Sequence, residues 1–125
     1  MSAQQTLSMR TIDKGSSSNI DSPRQAVARS AAEWSALWKA HNFEKPAPAL
    51  DFGKEMAVAV FMGSRPTAGF SVEIVSAEVR NGALVVSYRE TSPRPDAIAA
   101  QVLTFPYHIV AVPNHAGEVK FEKVS

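Results

Sequence analysis

His41, His108 and His115 are the residues of this 125-residue chain best suited to carry a proton or bind a metal near neutral pH. None belongs to a His-x-His or His-x-x-x-His pair, and no acidic residue stands at the offset a zinc helix needs. The expectation is therefore no metal site. His41 continues a stripe of apolar residues and is read as a core-edge side chain at a helix C-terminus, where positive charge complements the dipole. His115 falls in a turn and is read as solvated. His108 follows Tyr107 and a proline, the one histidine setting that resembles a lined pocket. Serines are plentiful, but none sits in a Gly-x-Ser-x-Gly elbow. Asp51 with Glu55, and Glu73 with Glu78, are ordinary surface spacings, with nothing to drive their proton affinities apart. The glycines form neither a P-loop nor a dinucleotide fingerprint. Cysteine is absent, which removes thiolate nucleophiles, disulfides and Cys-based zinc sites. The expectation from these residues is a chain with no catalytic group and no cofactor. An enzyme would need two titratable groups within hydrogen-bond reach in a water-poor cleft.

The most unusual stretch is Gly63-Ser-Arg-Pro-Thr-Ala-Gly69-Phe70, which joins the most apolar run of the chain to the next strand. Arg65 presents a planar fork of donors. With the Ser64 and Thr67 hydroxyls and the amides around Gly69, it is suited to hold a carboxylate or phosphate. The candidate binding residues are Arg65, Thr67, Gly69, Tyr107 and His108, and two uses are open to them. In one, the arginine loop or a sheet edge contacts a protein partner; in the other, Arg65, Thr67, Tyr107 and His108 converge on a pocket for a small molecule or anion. A third reading gives the loop a purely structural task, with Arg65 paired to a local acid.

The elements that position these residues follow from periodicity. Ser30-Ala-Ala-Glu33 is a capping box, and Trp34, Leu37, Trp38 and His41 then fall on one helical face, predicting a buried stripe that ends near Asn42. Met56 to Met62 is apolar on both parities, which predicts a central strand covered on both faces. Phe70 to Arg80 and Ala83 to Glu90 flank Asn81-Gly82, the dipeptide of a type I′ hairpin. That turn sets Val79 opposite Leu84, Ala77 opposite Val86 and Val75 opposite Tyr88. Carried on unchanged, it would oppose Glu73 to Glu90, and the apolar parity also switches within the strand, so a bulge is predicted near Ile74. Further strands are predicted at Thr6 to Asp13, at Gln25 to Arg29, and from Gln101 to Val112. Pro106 makes this last one an edge strand or two short strands joined by a bend. Val119 and Phe121 alternate with charged residues in a final strand, expected to pair as a hairpin with Ile109 to Val112. Lys14 to Asn19 reads as a flexible polar loop. The sum is one α+β domain over residues 1–125, an antiparallel, strongly curled sheet of six to seven strands with one main amphipathic helix packed on it.

Thirteen Lys plus Arg against twelve Asp plus Glu leave a formal charge of +1 with no runs, so a nucleic-acid partner is not expected. No apolar stretch approaches the ~20 residues of a membrane span. The N-terminal residues lack the pattern of a signal peptide, which makes the cytoplasm the default location, with a secreted or cell-envelope one the alternative if a signal has been removed. Oligomeric state leaves no mark on the sequence.

Four segments, Ser30-Ala-Ala-Glu-Trp-Ser-Ala-Leu-Trp38, Pro48-Ala-Leu-Asp-Phe52, Val58 to Phe70 and Pro106-Tyr-His-Ile-Val110, resemble in order and spacing the PrcB C-terminal-like family. The resemblance runs from about Arg29 to Phe121, and its most specific element is the Gly-x-Arg-Pro-Thr-x-Gly-aromatic loop. The family is named for a subunit that associates with a secreted bacterial subtilisin-like protease. The resemblance thus implies a bacterial, non-enzymatic binding or stabilising module with a protease-related partner. It brings no catalytic residues, and it marks the Gly63 to Phe70 loop and the Pro106 to Val110 segment as family hallmarks.

Overall fold

Two four-stranded sheets face each other in a computed structural model that describes residues 5–96 and 98–124. The chain forms β1 (Gln5–Thr6), β2 (Arg10–Gly15), β3 (Arg24–Ala28), α1 (Ala31–His41), β4 (Glu55–Phe61), β5 (Ser71–Arg80), β6 (Ala83–Thr91), β7 (Tyr107–Pro113) and β8 (Val119–Val124). One sheet has the order β1-β5-β6-β8 and the other β2-β7-β4-β3. The architecture is α+β, and every strand pair except β6 with β8 is antiparallel.

β4 explains the layering. Its even positions Met56, Val58 and Val60, with Met62 just beyond its end, face the other sheet and join Val72, Ile74, Leu84, Val86, Val110 and Val112 in the inter-sheet core. Its odd positions Ala57, Ala59 and Phe61 face the opposite way and join Trp34, Leu37, Trp38, Tyr107 and Ile109 under the helix. A strand buried on both faces has no polar parity to show, which is why this run is apolar throughout. The helix starts where the capping box places it: Ser30 Oγ accepts from the Glu33 amide at 3.2 Å, and Glu33 Oε1 accepts from the Arg29 amide at 2.7 Å. Both indoles are buried, and each donates its N–H to a loop carbonyl, Trp34 to Pro48 at 2.8 Å and Trp38 to Lys45 at 2.9 Å. The helix stripe therefore also fastens the proline-containing connection to β4.

The β5–β6 hairpin turns at Asn81 and Gly82, both at positive φ as a type I′ turn demands. Val79 opposes Leu84 and Ala77 opposes Val86, then the register shifts between Ile74 and Ser76, so that Tyr88 faces Ile74 rather than the expected Val75 and Glu73 faces Arg89. The bulge thus replaces a like-charged pair with an opposite-charged one and lets both apolar parities of β5 reach the same core.

Three expectations are corrected. The predicted first strand is two strands, broken over residues 7–9 where the chain passes from one sheet to the other; the imperfect alternation reflects Leu7 and Met9 turning into the inter-sheet core at the crossing. β8 is not the hairpin partner of β7 but pairs parallel with β6, with Leu84 against Val119 and Val86 against Phe121. The reason is that β7 has no free edge, being flanked by β2 and β4, so the chain beyond Pro113 crosses to the other sheet. Lys14 to Asn19 is not a loose loop either. β2 runs through Gly15, Ser18 is buried, and the Asn19 amide binds the His41 carbonyl at 2.8 Å.

Candidate functional site

The Gly63 to Phe70 loop is held from both sides. Gly63 has a φ of +79°, and a Cβ there would stand 2.8 Å from the Pro23 nitrogen, so the residue turns the chain where any side chain would collide. The Ser64 amide binds the Asp21 carbonyl at 3.1 Å. Arg65 donates its amide to the Thr104 carbonyl (2.8 Å) and accepts from the Thr104 amide (2.9 Å), an isolated antiparallel bridge. Thr104 Oγ1 donates to the Thr67 carbonyl at 2.9 Å, and the Ala68 amide binds the Ala100 carbonyl at 3.0 Å. Gly69, at a φ of +98°, lets the loop pass against Pro93, whose Cβ would lie 2.9 Å from an added methyl. Loop 63–70 and segment 93–104 are therefore one structural unit.

Segment 98–104 contains the residues that sequence reasoning missed. The run from Gln101 reads as strand, yet β7 begins only at Tyr107, and Thr104 and Phe105 make single bridges to Arg65 and Ser17. Pro106 divides the run as a bend, and β7 is a central strand rather than an edge. Without ladder partners, residues 98–103 leave their apolar side chains in solvent: Ile98 is 104% exposed, Val102 51% and Leu103 62%. The available signal was aliphatic composition in a segment bounded by Pro95 and Pro106, which is as consistent with a displayed loop as with a strand.

Arg65 is half-buried. Its guanidinium lies over the Phe70 ring at 5.6 Å from the centroid, and its Nε is buried with no hydrogen-bond partner among the described residues. No described carboxylate forms an ion pair with it; Asp96, on the adjoining segment, is 3.5 Å from Arg94. The local acid expected by the structural reading is thus not found among the described residues. Thr67 keeps its hydroxyl within the loop, donating to the Ala68 carbonyl at 3.0 Å.

Tyr107 and His108 do not join Arg65, Thr67 and Gly69 in one pocket. As successive residues of β7 they project to opposite faces of the sheet. Tyr107 packs under the helix with its ring 4.3 Å from that of His41, and burial, followed by a hydrogen bond to Asp13, raises its phenol well above the usual range. His108 enters the gap between the sheets. Its Nδ1 accepts the Ile74 amide at 2.8 Å, beside the β5 bulge, and its Nε2 lies 2.9 Å from Thr11 Oγ1. An acceptor at Nδ1 requires the proton on Nε2, so the ring is neutral. Burial, reinforced by the Lys14 charge, lowers its pKa to about 4, with Glu73 opposing. The residue bridges the two sheets, and its place is structural.

A second polar chain lies under the helix. His41 Nδ1 is 2.7 Å from Ser18 Oγ, and His41 Nε2 is 3.0 Å from Asp13 Oδ2. Ser, His and Asp thus stand in a row that joins two distant stretches of sequence, residues 13–18 and the end of the helix, which the sequence gave no reason to join. Ser18 Oγ is enclosed and already accepts the Ile20 amide at 3.1 Å, so what the row does is lock residues 16–20 onto the end of the helix. His41 lies deeper than the core edge expected of it. Among the described residues no group of three or more His, Asp or Glu side chains is gathered to hold a metal ion, and no helix is long and apolar enough to cross a membrane.

Fold and surface together define an α+β domain that displays a pinned arginine loop beside an exposed aliphatic segment. Residues 56–113, from β4 through β7, match the family model described as PrcB C-terminal, in agreement with the resemblance carried by the sequence. Comparison with curated proteins and with solved structures found no match. The matched span contains both halves of the arginine-loop surface.

Proposed function

We propose that this chain is a non-enzymatic interaction module that docks a protein partner, protease-related by family, on the surface formed by loop 63–70 and segment 98–104. The observation that carries this reading is the pair of backbone hydrogen bonds between Arg65 and Thr104, which holds Val102 and Leu103 in solvent on an anchored frame. Scattered exposed aliphatic residues are ordinary, but three within six positions of one fixed segment are a ready contact surface, needing little ordering on association. The free sheet edges fit less well. β8 places Lys120, Glu122 and Lys123 along its length, charges of the kind that discourage strand addition, and both β3 and β8 lie outside the family-matched span.

Photo-crosslinking in the native host tests this. A benzophenone amino acid at Val102 or Leu103 is expected to trap a protease or protease-complex subunit, while the same group at Lys39, on the exposed face of the helix, does not. Equal trapping from Lys39, or no protein product from either loop position, would reject the assignment.

A further inference from the structure

Among the described residues of this surface, Arg65 is the one with a buried side-chain donor left unbonded. Its Nε–H is out of reach of water and unbonded among the described residues, a state that costs free energy in the isolated chain. Its root is fixed by the Thr104 bridge, and its guanidinium carbon lies over the Phe70 ring at 5.6 Å from the centroid. Around it, loop 63–70 and segment 91–105 contain two arginines and one acid; Asp96 is engaged by Arg94, which leaves one positive charge in balance. Val102 and Leu103 adjoin the bridge partner Thr104 and are exposed.

Resting on the docking surface proposed above, we infer that Arg65 receives an aspartate or glutamate side chain of the partner, carried beside an aliphatic residue that covers Val102 and Leu103. A carboxylate matches the guanidinium fork in plane and in charge. Drawing the fork toward that carboxylate also relieves the stranded donor. A basic or purely apolar segment would meet an uncompensated cation at the centre of the contact and leave it desolvated. The arrangement is that of an arginine anchor within an apolar surround, the usual composition of an interface centre.

The test is selection of phage-displayed random heptapeptides on the immobilised full chain, followed by titration of an enriched peptide in solution. Enriched sequences are expected to carry Asp or Glu next to Leu, Ile, Val or Phe. Arg65→Gln should weaken binding at least about tenfold, and Arg65→Lys, which keeps the charge but not the fork, should weaken it by a smaller factor. Changing the peptide carboxylate to its amide should cost the same factor, with no further loss when combined with Arg65→Gln. That comparison on the unaltered protein stands even if the arginine variants fold poorly. Peptides without an acid, insensitive to Arg65→Gln yet lost with Leu103→Ser, would overturn the carboxylate seat while leaving the docking surface in place. Peptide binding insensitive to both changes, or no enrichment, would remove both. Inorganic phosphate that shifts the Arg65 Nε–H resonance as tightly as the peptide does, unaffected by Leu103→Ser, would replace the partner side chain with a free anion and overturn the inference.

Discussion

Acid should unlock the two sheets through His108. In the unfolded chain this imidazole titrates near its ordinary value of 6.5, whereas in the folded chain its pKa is lowered to about 4. Because the folded value is depressed, the associated stability is fully present above the unfolded pKa and is lost as pH falls toward the folded one. Linkage over that interval gives a loss of about 2 kcal/mol by pH 5 and about 3 kcal/mol by pH 4. The structural cause is definite: protonation of Nδ1 converts the acceptor of the Ile74 amide into a donor, so two hydrogens oppose each other at a contact now 2.8 Å long. The perturbation is His108→Gln, a side chain that can accept from Ile74 and donate to Thr11 but does not titrate. Urea denaturation followed by tryptophan fluorescence from pH 8 to pH 4 reads the difference. The variant is expected to cost about 1 kcal/mol near neutrality, the price of imperfect hydrogen bonds, and to be the more stable protein by pH 4.5. Carboxylate titration acts on both proteins alike; Glu55, held low chiefly by its hydrogen bonds from Arg10, loses its contribution in each. A stability difference between wild type and variant that stays flat from pH 7 to pH 4 would refute the bridging role.

Two further outcomes test the frame. Trp34→Ala or Trp38→Ala should each lower unfolding free energy by roughly 3–5 kcal/mol, since each removes a buried indole and strands the carbonyl it serves; denaturant titration giving under about 1 kcal/mol would mean that the helix stripe is not core. Gly63→Ala should cost well above the ~1 kcal/mol expected for Gly82→Ala, because both sit at positive φ but a methyl at Gly63 meets Pro23 at 2.8 Å while one at Gly82 meets nothing within 4 Å. Equal thermal midpoints for these two variants would show that the 63–70 loop is not pressed against the Pro23 segment.

What was legible in the sequence was local or periodic. Ser30 and Glu33 set the helix start, Asn81-Gly82 set the hairpin register, and the double parity of Met56 to Met62 announced a strand with a layer on each side. Even the β5 bulge was readable, because a like-charged pair and a parity switch fell at the same place. Pairings between distant segments left no such mark. The partner of β8 depended on whether β7 had a free edge, and that depended on β2, whose own pattern was blurred by its crossing between sheets. His108 shows the same limit from the other direction. Its neighbours Pro106 and Tyr107 suggested a pocket wall, but the determining partner is the Ile74 amide, 34 positions away at a bulge. The arginine loop divides between the two cases. Its glycines and proline signalled a specialised turn, while its attachment to segment 98–104, through Thr104 and Ala100, left no mark in the sequence. An arginine whose backbone is fully engaged and whose Nε is left without a partner among the described residues is the observation on which the proposed carboxylate seat rests.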